Sequence, residues 1–234
     1  MIFKNVINYH METNQTNSIS TQSFFIQEHS MTIRIWHWLT FVVISGIIIT
    51  VLINSTIMNQ RMNAGMVQVQ LKSNGAAVTE EQAFSVSREY EDKFWGVHKL
   101  LGYGLAFLLF SRIIIELSQP GEEKLSSRFE SALGLYRLND SNKKVYRHYL
   151  GVKTGYLFFY ILVVFMALTG LSLAFGRNLG FPRELSRTIR EIHSFGQYLM
   201  YAFVALHIGG VIIGENRKIR GIVSGMINGN IKGN

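Results

Sequence analysis

The sequence predicts an all-α integral membrane protein, built as a bundle of four transmembrane helices. Of its 234 residues, 48% are hydrophobic and 16% are charged, whereas about a quarter of the residues in an average soluble domain are charged. The apolar residues form four runs, each long enough to cross a bilayer. The predicted spans cover approximately residues 33–55, 94–117, 153–175 and 193–214. Lipid offers the backbone no hydrogen-bond partners, so each span is expected to be helical.

The segments on either side of this four-helix domain, residues 31–216, differ from it in composition. Residues 1–30 are polar and lack the basic region and cleavage site of a signal peptide. They are predicted to form a disordered cytoplasmic tail. In residues 217–234, apolar residues recur at helical spacing beside Lys218 and Arg220. This pattern predicts a short amphipathic helix on the membrane interface.

The basic residues indicate how the chain crosses the membrane. Thirteen Lys and Arg fall on the side that holds both termini, and eight fall on the other side. Cytoplasmic segments carry the excess of positive charge, so both termini are predicted to be cytoplasmic. This placement accounts for the net charge of +8 without nucleic-acid binding.

The loop of residues 56–93 lies between the first two spans, on the side opposite the termini. Thr79-Glu80-Glu81-Gln82 has the pattern of a capping box. Helical periodicity continues from there into the second span. We therefore expect this helix to begin outside the lipid.

Two histidines of the fourth span, His193 and His207, lie fourteen residues apart. Fourteen residues turn a helix by about 1400°, about 40° short of four full turns, so both imidazoles share one face. They are separated by roughly 21 Å along the axis, about two-thirds of the hydrocarbon thickness of a bilayer. This spacing predicts two metal centres at different depths in the membrane.

The first and second spans each supply one further histidine. Because successive spans alternate in direction, His37 is expected at the depth of His207, and His98 at the depth of His193. Two level histidine pairs are what two non-covalent b-type haems require as axial ligands. The chain has no cysteine, which excludes thioether attachment of haem. The other histidines, His10, His29 and His148, have no level partner and are not assigned to iron.

Two arginines are candidates to contact haem propionates. Arg112 lies fourteen residues after His98 and so shares its helix face. An arginine within a span needs a partner, which is either a propionate or Glu116, four residues on. Arg34 precedes His37 by one turn. It is either a second propionate contact or an ordinary interfacial arginine whose charged end reaches water.

Four segments that carry these residues resemble the bacterial cytochrome b561 and nickel–iron hydrogenase b-type cytochrome family. They are Arg34–Trp38, His98–Tyr103, His193–Gly196 together with His207, and Met226–Gly229. The resemblance covers residues from about 28 to 230. The chain departs from free-standing members in its long loop at 56–93, which is a candidate docking element for a partner.

The resemblance implies a four-helix di-haem protein of the bacterial inner membrane. It would carry electrons between a periplasmic redox protein, such as a hydrogenase small subunit or a c-type cytochrome, and the membrane quinone pool. No catalytic triad, phosphate-binding loop or carboxylate pair stands out, so the chain is interpreted as an electron-transfer subunit of an oxidoreductase complex.

Two alternatives remain open at this point. A free-standing enzyme of the same fold would oxidise superoxide or quinol directly, and it would be active when purified alone. A non-haem transporter or membrane assembly subunit would use its histidines for a metal ion or for packing, and it would lack the Soret absorbance of haem.

Overall fold

The computed structural model describes residues 30–118, 124–138, 143–217, 225–227 and 229. Six helices of at least fourteen residues lie within these ranges. They are α1 (Met31–Ser55), α2 (Gln60–Ser73), α3 (Glu80–Ser118), α4 (Leu125–Leu138), α5 (Lys143–Phe175) and α6 (Arg183–Arg217). The predicted N-terminal tail, apart from Ser30, lies outside the described residues. So does most of the predicted interfacial tail, of which residues 225–227 form a helical turn.

Four of these helices are long and apolar enough to cross a membrane, as the sequence predicted. They are Met31–Ser55, Glu80–Ser118, Leu150–Phe175 and Arg183–Glu215. Each predicted span falls within one of them. The all-α, four-span fold class is therefore confirmed.

The chain divides into two compact units. One unit contains residues 36–128 and 155–203, and it includes parts of all four long helices. We call it the main unit. Of the described residues, the second unit contains 30–35, 129–138, 143–154, 204–217, 225–227 and 229. His37, His98 and His193 belong to the main unit, whereas His207 belongs to the second.

Helix α3 is longer than a membrane crossing requires. Its 39 residues correspond to about 58 Å, roughly twice the hydrocarbon thickness of a bilayer. The N-terminal part, residues 80–93, is rich in charged side chains, and α2 packs against this end of α3. We call α2 together with residues 80–93 the hairpin.

Small side chains allow the two helices of the hairpin to approach closely. Ala64 of α2 and Ala83 and Ser87 of α3 are all buried. The turn between the helices uses Gly75, whose φ of +83° suits glycine. Its amide binds the carbonyl of Lys72 at 3.0 Å, and the next amide binds that of Leu71 at 3.0 Å, which is a Schellman ending.

The predicted capping box at the start of α3 is confirmed. The backbone N–H of Thr79 donates to Gln82 Oε1 at 3.0 Å, and the N–H of Gln82 donates to Thr79 Oγ1 at 3.2 Å. Helix α2 itself was not predicted. Two residues of the sequence mark its ends: Asn59, whose side chain caps the start of the helix, and Gly75, just beyond the last turn.

Candidate haem-binding site

His98 of α3 is held by a threonine of α1. The Oγ1 atom of Thr50 lies 3.0 Å from His98 Nδ1, and it donates its proton to the carbonyl of Ile47 at 2.7 Å. A hydroxyl has one proton to donate, so at the ring it acts as an acceptor. Nδ1 of His98 therefore carries the proton, and the lone pair of Nε2 is left for a ligand.

His193 of α6 is held in the same way by a threonine of α5. The Oγ1 atom of Thr169 lies 2.8 Å from His193 Nδ1 and donates to the carbonyl of Phe165 at 2.7 Å. The same reasoning assigns the proton to Nδ1 and leaves the Nε2 lone pair of His193 available.

Both histidines lie in the main unit, where their side chains are half-buried. The ring of Tyr103 on α3 stacks on that of Phe175 on α5 at 5.8 Å between centroids, so the two threonine–histidine pairs stand on helices that pack together. Four helices contribute to the arrangement, because α1 and α5 supply the threonines while α3 and α6 supply the imidazoles. Their ligation of one iron remains a prediction.

The other predicted pair, His37 and His207, is divided between the two compact units. His37 is half-buried on α1, and its ring meets Trp38 edge-on at 5.5 Å between centroids. His207 is exposed on α6. The two belong to different compact units, so the pairing of His37 with His207 stays a prediction.

Arg112 has the intrahelical partner that the sequence offered. Its Nη2 atom lies 2.9 Å from the carboxylate of Glu116, and its Nε donates to the hydroxyl of Tyr160 at 2.9 Å. Its Nη1 is buried and has no hydrogen bond within the described part of the chain. The salt bridge therefore uses only part of the guanidinium, and a propionate contact through Nη1 stays a prediction.

Arg34 contacts the C-terminal residues within the second unit. Its Nη1 donates to the carbonyl of Ile227 at 2.8 Å. A Cβ at Gly229 would lie 2.8 Å from the guanidinium carbon of Arg34, and Gly229 has a φ of +74°. The arginine thus links the backbone of Ile227 to the start of α1. Its predicted propionate contact stays a prediction.

Sequence reasoning missed the polar side chains that α1 buries. Thr50 and Asn54 are 5% and 3% exposed, and neither atom of the Asn54 amide has a hydrogen bond among the described residues. The signal was available, since a polar residue inside an apolar span is expensive and tends to face the bundle interior. Thr169 carries the same signal.

Glycines allow side chains to approach closely around His193. A Cβ at Gly170 would lie 3.3 Å from His193 Cε1. A Cβ at Gly196 would lie 2.6 Å from Met166 Sδ and 2.7 Å from Phe165 Cε1. Both glycines therefore make room for neighbouring side chains, whereas a Cβ at Gly102 would meet nothing within 4 Å.

Most of the chain matches a known family. The family model of prokaryotic cytochrome b561 matches residues 28–229, most of the 234-residue chain. The chain belongs to the prokaryotic cytochrome b561 family. It is therefore a multi-pass membrane b-type cytochrome that acts in electron transfer. No curated protein and no solved structure matches it.

The residues of this cytochrome b561 fit the b-type haem that the family implies. His98 and His193 each leave an Nε2 lone pair for iron, which is the donor that bis-histidine ligation needs. The buried Nη1 of Arg112 is a hydrogen-bond donor without a partner among the described residues, as a propionate requires. It lies roughly 21 Å along α3 from His98, so it suits the predicted second haem rather than the haem of His98 and His193.

Gly170→Ala is expected to weaken haem retention in cytochrome b561. The added methyl would press on the His193 ring at 3.3 Å, and overpacking of this kind costs about 1–3 kcal/mol. The haem-to-protein absorbance ratio after purification measures the effect. Gly155→Ala on the same helix is the control, since a Cβ there meets nothing within 4 Å. Equal haem loss in both variants would contradict the steric argument.

Proposed function

We propose that this cytochrome b561 holds two b haems and passes electrons between a periplasmic redox protein and membrane quinone. In this proposal His98 and His193 ligate the haem on the hairpin side, which we call the outer haem. His37 and His207 ligate the other, which we call the inner haem. Each haem, when bound, supplies a one-electron carrier.

The observation that carries the proposal is the matched pair of threonine–histidine hydrogen bonds. Each places the proton on Nδ1 and leaves Nε2 free, at 3.0 Å for His98 and 2.8 Å for His193. One such contact would be unremarkable in a membrane protein. Two such contacts within one compact unit favour a single metal held between α3 and α6.

The continuity of α6 supports two haems at different depths. Its 35 residues form one helix from Arg183 to Arg217. In a regular helix, the fourteen residues from His193 to His207 correspond to roughly 21 Å along the axis. The inner ligands would then lie toward the cytoplasmic side, where we place electron exchange with quinone.

The hairpin supports docking of a protein partner near the outer haem. Met62, Met66 and Val69 of α2 are 66%, 59% and 65% exposed, and by helical spacing they lie roughly opposite Ala64, which is buried in the hairpin. We call these three residues the apolar stripe. Exposed apolar patches mark contacts with other proteins.

The continuous helix α3 connects this hairpin to His98, so a partner bound there would lie near the outer haem. With both termini cytoplasmic, the hairpin is periplasmic. A hydrogenase small subunit or a c-type cytochrome is the class of partner that the position suits. The cytochrome then acts as the electron-transfer subunit of an oxidoreductase complex, in the inner membrane.

The purified protein is expected to contain two b haems per chain, both extractable by acid acetone because no cysteine tethers them. A pyridine haemochrome assay against protein concentration measures the ratio. A ratio near one would overturn the claim of two haems, and a ratio near zero would overturn haem binding altogether.

A further inference from the structure

Thr50 and Thr169 face the two imidazoles in the same way from two different helices. Each hydroxyl accepts from Nδ1 of a histidine and donates to a backbone carbonyl of its own helix. We infer that Thr50 and Thr169 are positioning residues that orient the axial histidines of the outer haem and lower its reduction potential. This inference rests on the proposed ligation by His98 and His193.

The hydroxyls are well fixed for this role. The side-chain torsion of a β-branched residue is restricted in a helix, and the bond to the preceding turn removes the remaining freedom of the proton. The acceptor lone pair of each threonine therefore points toward the ring and is not free to turn away. A ring held at Nδ1 can neither flip nor exchange tautomer without losing this bond.

The effect on potential follows from the same bond. An acceptor at Nδ1–H makes the imidazole a stronger donor at Nε2. A stronger donor stabilises ferric over ferrous iron, so the reduction potential falls. Removing the acceptor should therefore raise the midpoint potential of the outer haem.

Loss of the hydroxyl acceptor is expected to shift the reduction potential by different amounts at the two threonines. For His98, Thr50 supplies the bond at 3.0 Å. For His193, Thr169 is the side chain that supplies the bond, at the shorter distance of 2.8 Å. We therefore expect Thr169→Val to shift the potential more than Thr50→Val.

The test compares valine and serine at each position by redox potentiometry of the full-length protein. Valine keeps the shape of threonine and removes the acceptor, whereas serine keeps the acceptor. The valine variants should raise the midpoint potential of the outer haem and leave that of the inner haem unchanged. The serine variants should show the same outer-haem midpoint potential as the unmodified protein. A tenfold change in preference for ferric haem corresponds to about 59 mV for one electron.

Thr154→Val on α5 is the matched control. Thr154 also donates to the carbonyl four residues earlier, at 2.9 Å from Leu150, and it is exposed. Loss of this backbone bond alone should move neither midpoint. A shift as large as that of Thr169→Val would mean that helix bending, not the histidine contact, sets the potential, and would overturn the inference.

Low-spin ferric electron paramagnetic resonance gives a second readout. The signal of the outer haem should change in the valine variants and return in the serine variants. If a valine variant loses the haem while serine keeps it, the acceptor role is also supported. If serine loses the haem as well, the methyl group rather than the hydroxyl is what matters, and the inference fails.

The inference and the proposed function fail in different ways. Unchanged midpoints in Thr50→Val and Thr169→Val overturn the role of the threonines and leave the ligand assignment intact, provided that His98→Ala removes a haem. If His98→Ala and His193→Ala keep both haems, the ligand assignment itself is wrong.

Discussion

Replacing His98 or His193 by alanine is expected to remove one haem of the two completely and to leave the other in place. Alanine offers no lone pair to iron, and a non-covalent b haem with one axial ligand lost has no thioether to retain it. His37→Ala or His207→Ala should remove the other haem. The effect in each case is the loss of half of the bound haem.

Redox titration with visible spectroscopy distinguishes the two sets of variants. The unmodified protein should show two transitions and each variant one, and members of a pair should lose the same transition. His148→Ala is the control, because the sequence leaves this histidine without a level partner. Clean loss of a haem in His148→Ala would show that the ligand set has been assigned incorrectly.

Removing most of the hairpin, through residue 87, should separate reduction by a protein partner from reduction by a small molecule. With residues 58–87 replaced by a short Gly–Ser linker, both haems should be retained, since His98 and its partner Thr50 lie outside the deletion. Reduction by a protein partner should slow by about tenfold or more, because the partner loses the surface that positions it near the outer haem.

Stopped-flow absorbance at the Soret band provides the measurement. Purified c-type cytochrome and hydrogenase with hydrogen serve as protein donors, and dithionite serves as the small reductant that needs no docking surface. A milder variant, Met62→Ser with Met66→Ser, keeps the hairpin because both side chains are exposed on the face away from α3, and it should slow the protein donors alone.

A different result would give the hairpin a different role. If the deletion accelerates dithionite and leaves both protein donors unchanged, the hairpin shields the haem from water rather than binding a partner.

The sequence predicted those features of the fold that depend on long patterns. Four apolar runs are long enough to define spans, and one capping motif located the start of α3. Helix α2 was missed because its fourteen residues are nearly balanced between polar and apolar. It is stabilised mainly by packing against α3 through Ala64 and Ala83. This is a tertiary contact, which local sequence patterns do not predict.

Only those residues of the candidate site whose type marks them as possible ligands could be predicted from the sequence. Histidines inside spans are conspicuous, and their fourteen-residue spacing can be counted directly. The threonines were not found, because Thr50 lies 48 residues from His98 in the chain and becomes its neighbour only when α1 and α3 pack. Arg112 shows the reverse case, since its partner Glu116 lies on the same helix, four residues away.

The unbroken course of α6 has a consequence for the proposed ligand set. Arg183–Arg217 form one helix, and His193 and His207 both lie on it, whereas α1 and α3 each carry one of the other two proposed ligands. In that arrangement α6 is the element that the two proposed haems share. A substitution that breaks this helix between its two histidines is therefore expected to disturb both haems rather than one.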